Sequence, residues 1–101
     1  MENKNDFIYQ LSHDKNDNIY SKGYRIVYFY DDYYHVGEYC TTIEGFMIGL
    51  CDIDPSDDIP EFISIKDMLL RSVKNDTKCT YISLYKTDGI CIESLPNPYK
   101  L

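Results

Sequence analysis

The sequence contains no tryptophan and no alanine, and only two of its 101 residues are arginines. No stretch approaches the roughly 20 apolar residues that span a bilayer, so we expect no transmembrane segment. The segment Met1–Asp6 is polar, and the apolar run Phe7–Leu11 is too short for the hydrophobic part of a signal peptide. These absences predict a cytoplasmic protein.

The chain has four cysteines, and their spacing gives no zinc knuckle. The separations of 11, 28 and 12 residues provide no pair two residues apart, which is the spacing typical of zinc ligands. Because the cytosol keeps thiols reduced, we expect free cysteines; an oxidising compartment would instead permit two disulfides. The four residues are Cys40, Cys51, Cys79 and Cys91.

Positive charge is also in short supply. Ten Lys and Arg residues stand against 17 Asp and Glu residues, a formal net charge of −7. This balance disfavours direct binding to nucleic acid or to anionic membranes, since both reward Lys and Arg. It favours a basic protein partner, with solubility alone as the alternative explanation.

The length predicts one domain, residues 1–101. Its apolar patterns predict an α+β fold, a mostly antiparallel sheet built from hairpins with one main α-helix at about residues 61–75. Ser64 and Asp67 form a capping pair near the start of this helix. Apolar residues recur along it at helical spacing: Phe62, Ile65, Met68, Leu69 and Val73.

Two hairpins and two further strands make up the predicted sheet. The first hairpin pairs Tyr24–Tyr30 with His35–Cys40, with Asp31–Tyr34 at or near its tip. The segments Phe7–Leu11 and Glu44–Cys51 are also predicted to be strands. In the second of these, the glycines mark bulges or close approaches of the backbone: Gly45 and Gly49.

The last hairpin is predicted to turn through three residues, Thr87 to Gly89, with Gly89 in the left-handed conformation. This turn length sets which side chains share a face, because side chains alternate along a strand. One face would carry Ile82, Leu84, Ile90 and Ile92. Tyr81, Ser83 and Tyr85 would face outward.

Seven tyrosines lie between residues 20 and 39, and alternation along the first hairpin places most of them on one face. We call this face the tyrosine wall; its predicted members are Tyr24, Ile26, Tyr28, Tyr30, Tyr33, His35 and Tyr39. Tyrosine joins a large apolar ring to a hydroxyl and concentrates at recognition surfaces, so the wall indicates a binding face. The alternative is a half-buried layer packed against the helix.

No residue pattern predicts catalysis, a metal site or a cofactor. His35 and Cys40 point to opposite faces of a regular strand, so they form a dyad only if a bulge at Gly37 intervenes. An EF-hand loop beginning at Asp52 would lack both the turn glycine and the closing glutamate. We therefore expect a protein that binds rather than catalyses.

Small size, acidity, the absence of catalytic residues and a composition typical of AT-rich genes make the chain resemble bacterial toxin-immunity proteins, including those of contact-dependent growth inhibition systems. The resemblance is one of type across the whole chain and carries over no residue roles. Such proteins span unrelated folds, so it does not bear on the fold. It implies a non-enzymatic inhibitor of a basic partner, such as a toxin domain or nuclease.

Two regions supply the predicted partner-binding residues, the tyrosine-rich hairpin and the acidic segment after residue 51. They are Tyr28, Tyr30, Asp31, Asp32, Tyr33, Asp52, Asp54, Asp57, Asp58 and Glu61. Desolvated aromatic rings would slow dissociation, and the carboxylates would accelerate association. A merely solvated acidic face is the alternative for the second region.

Three other functions are compatible with the sequence. A phage-type inhibitor of a host nucleic-acid-binding defence protein would present carboxylates where phosphates normally lie. A small-ligand binder would use the tyrosine wall, with Tyr28, Tyr30 and His35 around a closed cavity. A self-associating subunit would bury the wall between two copies. The sequence leaves the partner and the oligomeric state open.

Overall fold

The computed structural model of the chain describes residues 6–54, 56 and 63–101. In chain order the elements of this part are α1 (Phe7–Ser12), β1 (Tyr24–Phe29), β2 (Tyr34–Cys40), α2 (Ile43–Leu50), α3 (Ile65–Ser72), β3 (Tyr81–Lys86) and β4 (Cys91–Pro96). The four strands form one antiparallel sheet in the order β2-β1-β3-β4. The predicted α+β class, built from hairpins, is confirmed.

The first hairpin turns through two residues, because the Tyr30 amide donates to the Tyr33 carbonyl at 2.8 Å and encloses Asp31 and Asp32. Further along, β2 contains a bulge, in which two residues lie opposite Ile26. Tyr39 consequently pairs with Arg25.

Because of this bulge, the tyrosine wall differs from the prediction in one member, Tyr39. An extra residue reverses side-chain alternation beyond it, so Tyr39 joins the opposite face of the sheet. His35, which precedes the bulge, pairs with Tyr28 and keeps its predicted place.

The last hairpin has the predicted three-residue turn. The Lys86 amide donates to the Ile90 carbonyl at 2.8 Å, and Gly89 has a φ of 100°. A bulge at Ile92 then changes the register, so that Leu84 pairs with Glu93. The expected face is therefore only partly formed: Ile82 and Leu84 are buried on it, whereas the bulge displaces Ile92 and Ile90 is 55% exposed.

A second correction concerns the face of β3 that was expected to point outward. Ser83 is buried, and its hydroxyl donates to the Ser94 hydroxyl at 2.9 Å. Tyr85 is half-buried beneath Phe7 of α1, with the two ring centroids 5.1 Å apart. Helix α1 covers this face, which the sequence patterns did not anticipate.

The segment Phe7–Leu11 is helical, so the predicted first strand is wrong. Asp6 decides the outcome, because its carboxylate accepts from the Ile8 amide at 2.8 Å and caps the helix. Phe7 and Leu11 lie four residues apart, the helical spacing that brings both onto the sheet. Leu11 is fully buried.

The segment Glu44–Cys51 is also helical rather than extended. Thr42 caps α2 by accepting from the Gly45 amide at 3.0 Å, and Phe46 and Met47 are buried. The expected close approach holds at Gly45, where a β-carbon would lie 3.4 Å from the Cys40 sulfur. At Gly49 a β-carbon would meet nothing within 4 Å, so no close approach explains that glycine.

The main predicted helix is present as α3, Ile65–Ser72, shorter than expected. Ser64 and Asp67 form a reciprocal capping box, as predicted: each side chain accepts from the other residue's amide at 3.1 Å. Met68, Leu69 and Val73 of the apolar stripe are buried, while Phe62 lies outside the described residues.

The two faces of the sheet therefore have different covers. Helices α2 and α3 lie over one face, and α1 lies over the other. The core beneath α2 and α3 comprises Ile26, Phe46, Met47, Met68, Leu69, Val73, Cys79, Ile82 and Leu84. Tyr24, Tyr28 and Tyr30 pack against this core, so much of the tyrosine wall is the half-buried layer that was its alternative interpretation.

Candidate functional site

The turn between β1 and β2 presents the most prominent aromatic ring of the predicted site. We call residues Tyr30 to Tyr33 the hairpin tip. Tyr33 is 59% exposed, and its ring stacks on that of Tyr30 with centroids 4.5 Å apart and planes 6° apart. Asp31 and Asp32 between them are exposed. The structure thus brings four predicted site residues together.

Hydrogen bonds hold the hairpin tip against the segment that connects α3 to β3. The Tyr30 hydroxyl donates to the Asp76 carboxylate at 2.7 Å, and the Thr80 hydroxyl donates to Asp31 at 3.0 Å. Asp76 also accepts from the Lys78 and Cys79 amides at 2.9 and 3.0 Å. The tip is consequently anchored on both sides of its turn.

The same contacts shift the pKa values of Tyr30 and Asp76. Burial and the bond to Asp76 raise the pKa of Tyr30, so its hydroxyl keeps its proton. The bond from Tyr30 is the largest influence on Asp76 and lowers the pKa of that carboxyl. Asp76 is therefore a carboxylate at neutral pH, and its bond with Tyr30 is charge-assisted.

The remaining predicted site residues lie elsewhere. Tyr28 is half-buried beneath α2 and α3. Asp52 and Asp54 are exposed after α2, and Asp54 accepts from the Ser56 amide and hydroxyl at 2.9 and 2.8 Å. These bonds lower the pKa of Asp54. Asp57, Asp58 and Glu61 lie outside the described residues.

A large open cleft borders strand β2 at the edge of the sheet, beside α1 and the segment that follows it. Its volume is about 890 Å³, within the usual range for small-molecule sites. We call it the β2 cleft. Its lining includes Tyr9, His13, Tyr20, Arg25, Tyr28, His35, Glu38 and Tyr39. Tyr28 and His35 thus border an open cleft rather than the closed cavity considered from sequence, and Tyr30 is not part of its lining.

Stacked rings form much of the cleft wall. Tyr9 and His13 stack with centroids 3.8 Å apart, and Tyr20 and Tyr39 stack at 4.1 Å. The Tyr39 hydroxyl donates to the Lys22 carbonyl. Both histidines of the chain, His13 and His35, line this cleft.

The segment between α1 and β1 is organised by one carboxylate. Asp14 accepts from the Asn16 amide at 2.8 Å, the Asn18 amide at 3.0 Å and the Tyr20 hydroxyl at 2.9 Å. The Asn18 side chain also donates to it and is the largest influence lowering the pKa of Asp14 to about 2. A fixed negative charge therefore holds one wall of the cleft in place.

Arg25 is a buried, charged residue of the cleft that was not among the site residues predicted from the sequence. It is 8% exposed; its Nε donates to the Gly37 carbonyl at 2.9 Å and its Nη1 to the His13 carbonyl at 3.4 Å. Its guanidinium lies 5.9 Å from the centroid of the Tyr20 ring. Burial lowers the pKa of Arg25. The sequence did offer one indication of this residue, because Arg25 is the one charged residue in the apolar strand β1.

The cysteines are free thiols, with Cys79 buried and Cys91 exposed. The bulge does place His35 and Cys40 on one face, because their partners on β1 are Tyr28 and Tyr24. Four residues of strand separate those partners by about 13 Å, too far for a dyad. Burial raises the pKa of Cys40, which opposes thiolate formation.

Within residues 6–54, 56 and 63–101, no group of three or more His, Cys, Asp or Glu side chains is arranged to hold a metal ion. None of the helices described is both long and apolar enough to pass through a membrane.

No protein-family model, no curated protein and no solved structure matches this chain. The functional argument consequently rests on the hairpin tip and the β2 cleft themselves.

Proposed function

We propose that this chain is a non-enzymatic cytoplasmic inhibitor that binds a basic protein, such as a toxin domain or nuclease, through its hairpin tip. The observation that carries the proposal is Tyr33, an exposed ring stacked on Tyr30 and preceded by the carboxylates of Asp31 and Asp32. Aromatic side chains surrounded by polar groups are the typical anchors of protein interfaces.

The ring of Tyr33 is ordered before binding. Its partner Tyr30 is fixed by the hydrogen bond to Asp76, so the stacked pair does not have to be immobilised by the partner. Ordering a side chain on association costs about 0.5–1.5 kcal/mol. Preorganisation therefore favours a direct anchoring role for Tyr33.

Charge complementarity favours a basic partner. Asp32 has no hydrogen bond or ion pair to any part of the chain that the structure describes, and the chain carries a net charge of −7. A partner rich in Lys and Arg would be drawn towards the tip and would pair with these carboxylates. In this proposal Asp52, Asp54, Asp57, Asp58 and Glu61 add longer-range attraction, while Tyr28 supports the tip from beneath.

Affinity capture from the native lysate identifies the partner. Tagged protein is washed across a salt series, and bound proteins are identified by mass spectrometry. We expect one basic protein in stoichiometric amount, released as salt screens the charges. Recovery of a nucleic-acid-binding defence protein would favour the phage-type inhibitor instead. A cognate toxin would favour the immunity role.

Binding kinetics with the purified partner then test the hairpin tip. Tyr33→Ala should accelerate dissociation by at least about 10-fold, as expected for an aromatic anchor, whereas Tyr33→Phe should change it little. The double variant Asp31→Asn/Asp32→Asn should slow association and flatten its salt dependence.

A variant with the same loss of charge elsewhere is the control. Glu38→Gln/Glu44→Gln changes two exposed carboxylates outside the tip. If this control slowed association as much as the Asp31 and Asp32 changes, the tip would have no special role. Unchanged dissociation of Tyr33→Ala would likewise contradict the proposal.

A further inference from the structure

The β2 cleft contains a positive and a negative group that are not paired with each other. Arg25 and Glu38 both line it, and the charge of Glu38 acts on Arg25. Among the described residues, neither makes an ion pair within 4 Å, and Glu38 has no hydrogen bond. An open cleft lined by both groups suits a ligand that carries both charges.

The guanidinium of Arg25 retains unused donors. It has five N–H groups, and its hydrogen bonds to Gly37 and His13 occupy one on Nε and one on Nη1. In the described part of the chain, no buried side-chain nitrogen or oxygen is left without a partner. The unpartnered Nη2 is therefore not sealed from solvent, and because Arg25 lines the cleft, an anion bound there can accept from this guanidinium.

The negative charges of the cleft limit which anion can bind. Asp14 and Asp17 line it together with Glu38, whereas Lys15 and Arg25 are the lining residues with permanent positive charge. A phosphate dianion would be repelled by three carboxylates. A ligand with one carboxylate and one ammonium group avoids this cost, because its cation lies near Glu38.

The aromatic walls favour a ligand with an apolar or ring-bearing side chain. The stacked pairs Tyr9–His13 and Tyr20–Tyr39 both line the cleft. A ring placed beside them would gain edge-to-face or offset contacts. A cavity of about 890 Å³ accommodates such a molecule.

We propose that the β2 cleft binds a free aromatic α-amino acid, with its carboxylate on Arg25, its ammonium group towards Glu38 and its side chain against the tyrosine rings. This site is independent of the proposed inhibitor function, because none of the four tip residues lines the cleft. No covalent step is involved.

Three matched probes test the proposal by NMR titration of the full-length protein. L-phenylalanine carries both charges, 3-phenylpropionate lacks the ammonium group, and phenethylamine lacks the carboxylate. We expect L-phenylalanine to shift amide resonances at Arg25, Gly37 and Glu38. It should bind at least about 10-fold more tightly than either truncated probe, because each of those probes loses one charged hydrogen bond.

A conservative variant isolates the negative side of the site. Glu38→Gln changes an exposed residue and should weaken the binding of L-phenylalanine by about 10-fold. It should not weaken the binding of 3-phenylpropionate, an anion that the Glu38 carboxylate repels. Glu44→Gln, which lies outside the cleft, should leave both probes unaffected. The Asp31→Asn/Asp32→Asn variant should also bind L-phenylalanine normally.

Several results would overturn the site. They are equal binding of the three probes, shifts confined to residues outside the cleft, an unaltered L-phenylalanine affinity in Glu38→Gln, and no shifts with any probe up to about 10 mM, a concentration at which even weak specific binding is detected. A failure here would leave the hairpin tip proposal untouched, since that proposal is measured with a protein partner.

Discussion

The face of the sheet beneath α2 and α3 is closed mainly by aliphatic side chains, whereas the face beneath α1 combines rings, polar groups and a buried arginine. Ile82 and Leu84 are fully buried on the first face. The second face carries Arg25 and Ser83 under a helix of six residues. The comparison teaches that one side of this domain is occupied by its main core, whereas the other side contributes Arg25 and the α1 wall to a cleft at the edge of the sheet.

The rings on the α1 side do more than fill space. Phe7 contacts Tyr34 and Tyr85 edge to face at 5.2 and 5.1 Å and lies 6.0 Å from Phe29. Such pairs have directional preferences, so they position α1 as well as burying it. The position of α1 in turn sets the wall of the β2 cleft.

The largest effect is expected in the aliphatic core. Leu69→Ala removes a fully buried side chain of α3 and should lower the free energy of unfolding by about 2–5 kcal/mol, because it leaves a cavity. Urea denaturation measures the change. Leu70→Ala, at the neighbouring half-buried position, is the control and should cost less. Equal losses would contradict the assignment of the main core to this face.

A smaller effect is expected from the α1 face. Phe7→Leu keeps an apolar side chain but loses the ring contacts, which should cost about 1 kcal/mol. The loss should be local: amides of α1 should exchange with solvent faster, while amides of β3 keep their protection. Hydrogen exchange measures both. Equal acceleration in β3 would make α1 part of the same cooperative unit and break the comparison.

The two helix caps give a matched comparison of the two faces at a similar cost. Ser64→Ala removes the cap of α3 and should lower the free energy of global unfolding by about 1 kcal/mol. Asp6→Ala removes the cap of α1 and should accelerate exchange mainly within α1. Denaturation and hydrogen exchange distinguish these outcomes. A global loss from Asp6→Ala larger than that from Ser64→Ala would reverse the proposed ranking of the faces.

The elements that the sequence predicted correctly carry strong local signals. Helix α3 has both an apolar stripe and a capping box, and the last turn has a glycine that tolerates a φ of 100°. The segments Phe7–Leu11 and Glu44–Cys51 are short apolar runs, in which strand and helix patterns are hard to distinguish. Their caps, Asp6 and Thr42, were the overlooked evidence for helices.

The candidate sites were predictable to different extents. The exposure of Asp31, Asp32 and Tyr33 follows from their place in a tight turn. The β2 cleft depends on a bulge that moves Tyr39 and on α1 folding over Arg25. Both are tertiary features, because bulges and helix docking depend on contacts between distant segments. Sequence periodicity alone carries no information about them.

The smallest expected effect concerns the pH dependence of the cleft wall. Hydrogen bonds, led by that from the Asn18 side chain, lower the pKa of Asp14 from 3.8 to about 2. A carboxyl with a depressed pKa in the folded state stabilises the ordered segment above its ordinary value. That contribution should be lost as pH falls from 3.8 towards 2, and solvent screening keeps its size small.

Amide resonances of Asn16 and Asn18 report this transition directly, because both amides donate to Asp14. We expect them to shift with a midpoint near pH 2, and we expect Asp14→Asn to abolish that transition. A midpoint near 3.8 would mean that the carboxylate does not organise the segment. The wall of the cleft beside Tyr20 would then be less fixed than the aliphatic core on the opposite face of the sheet, and L-phenylalanine would have to order it on binding.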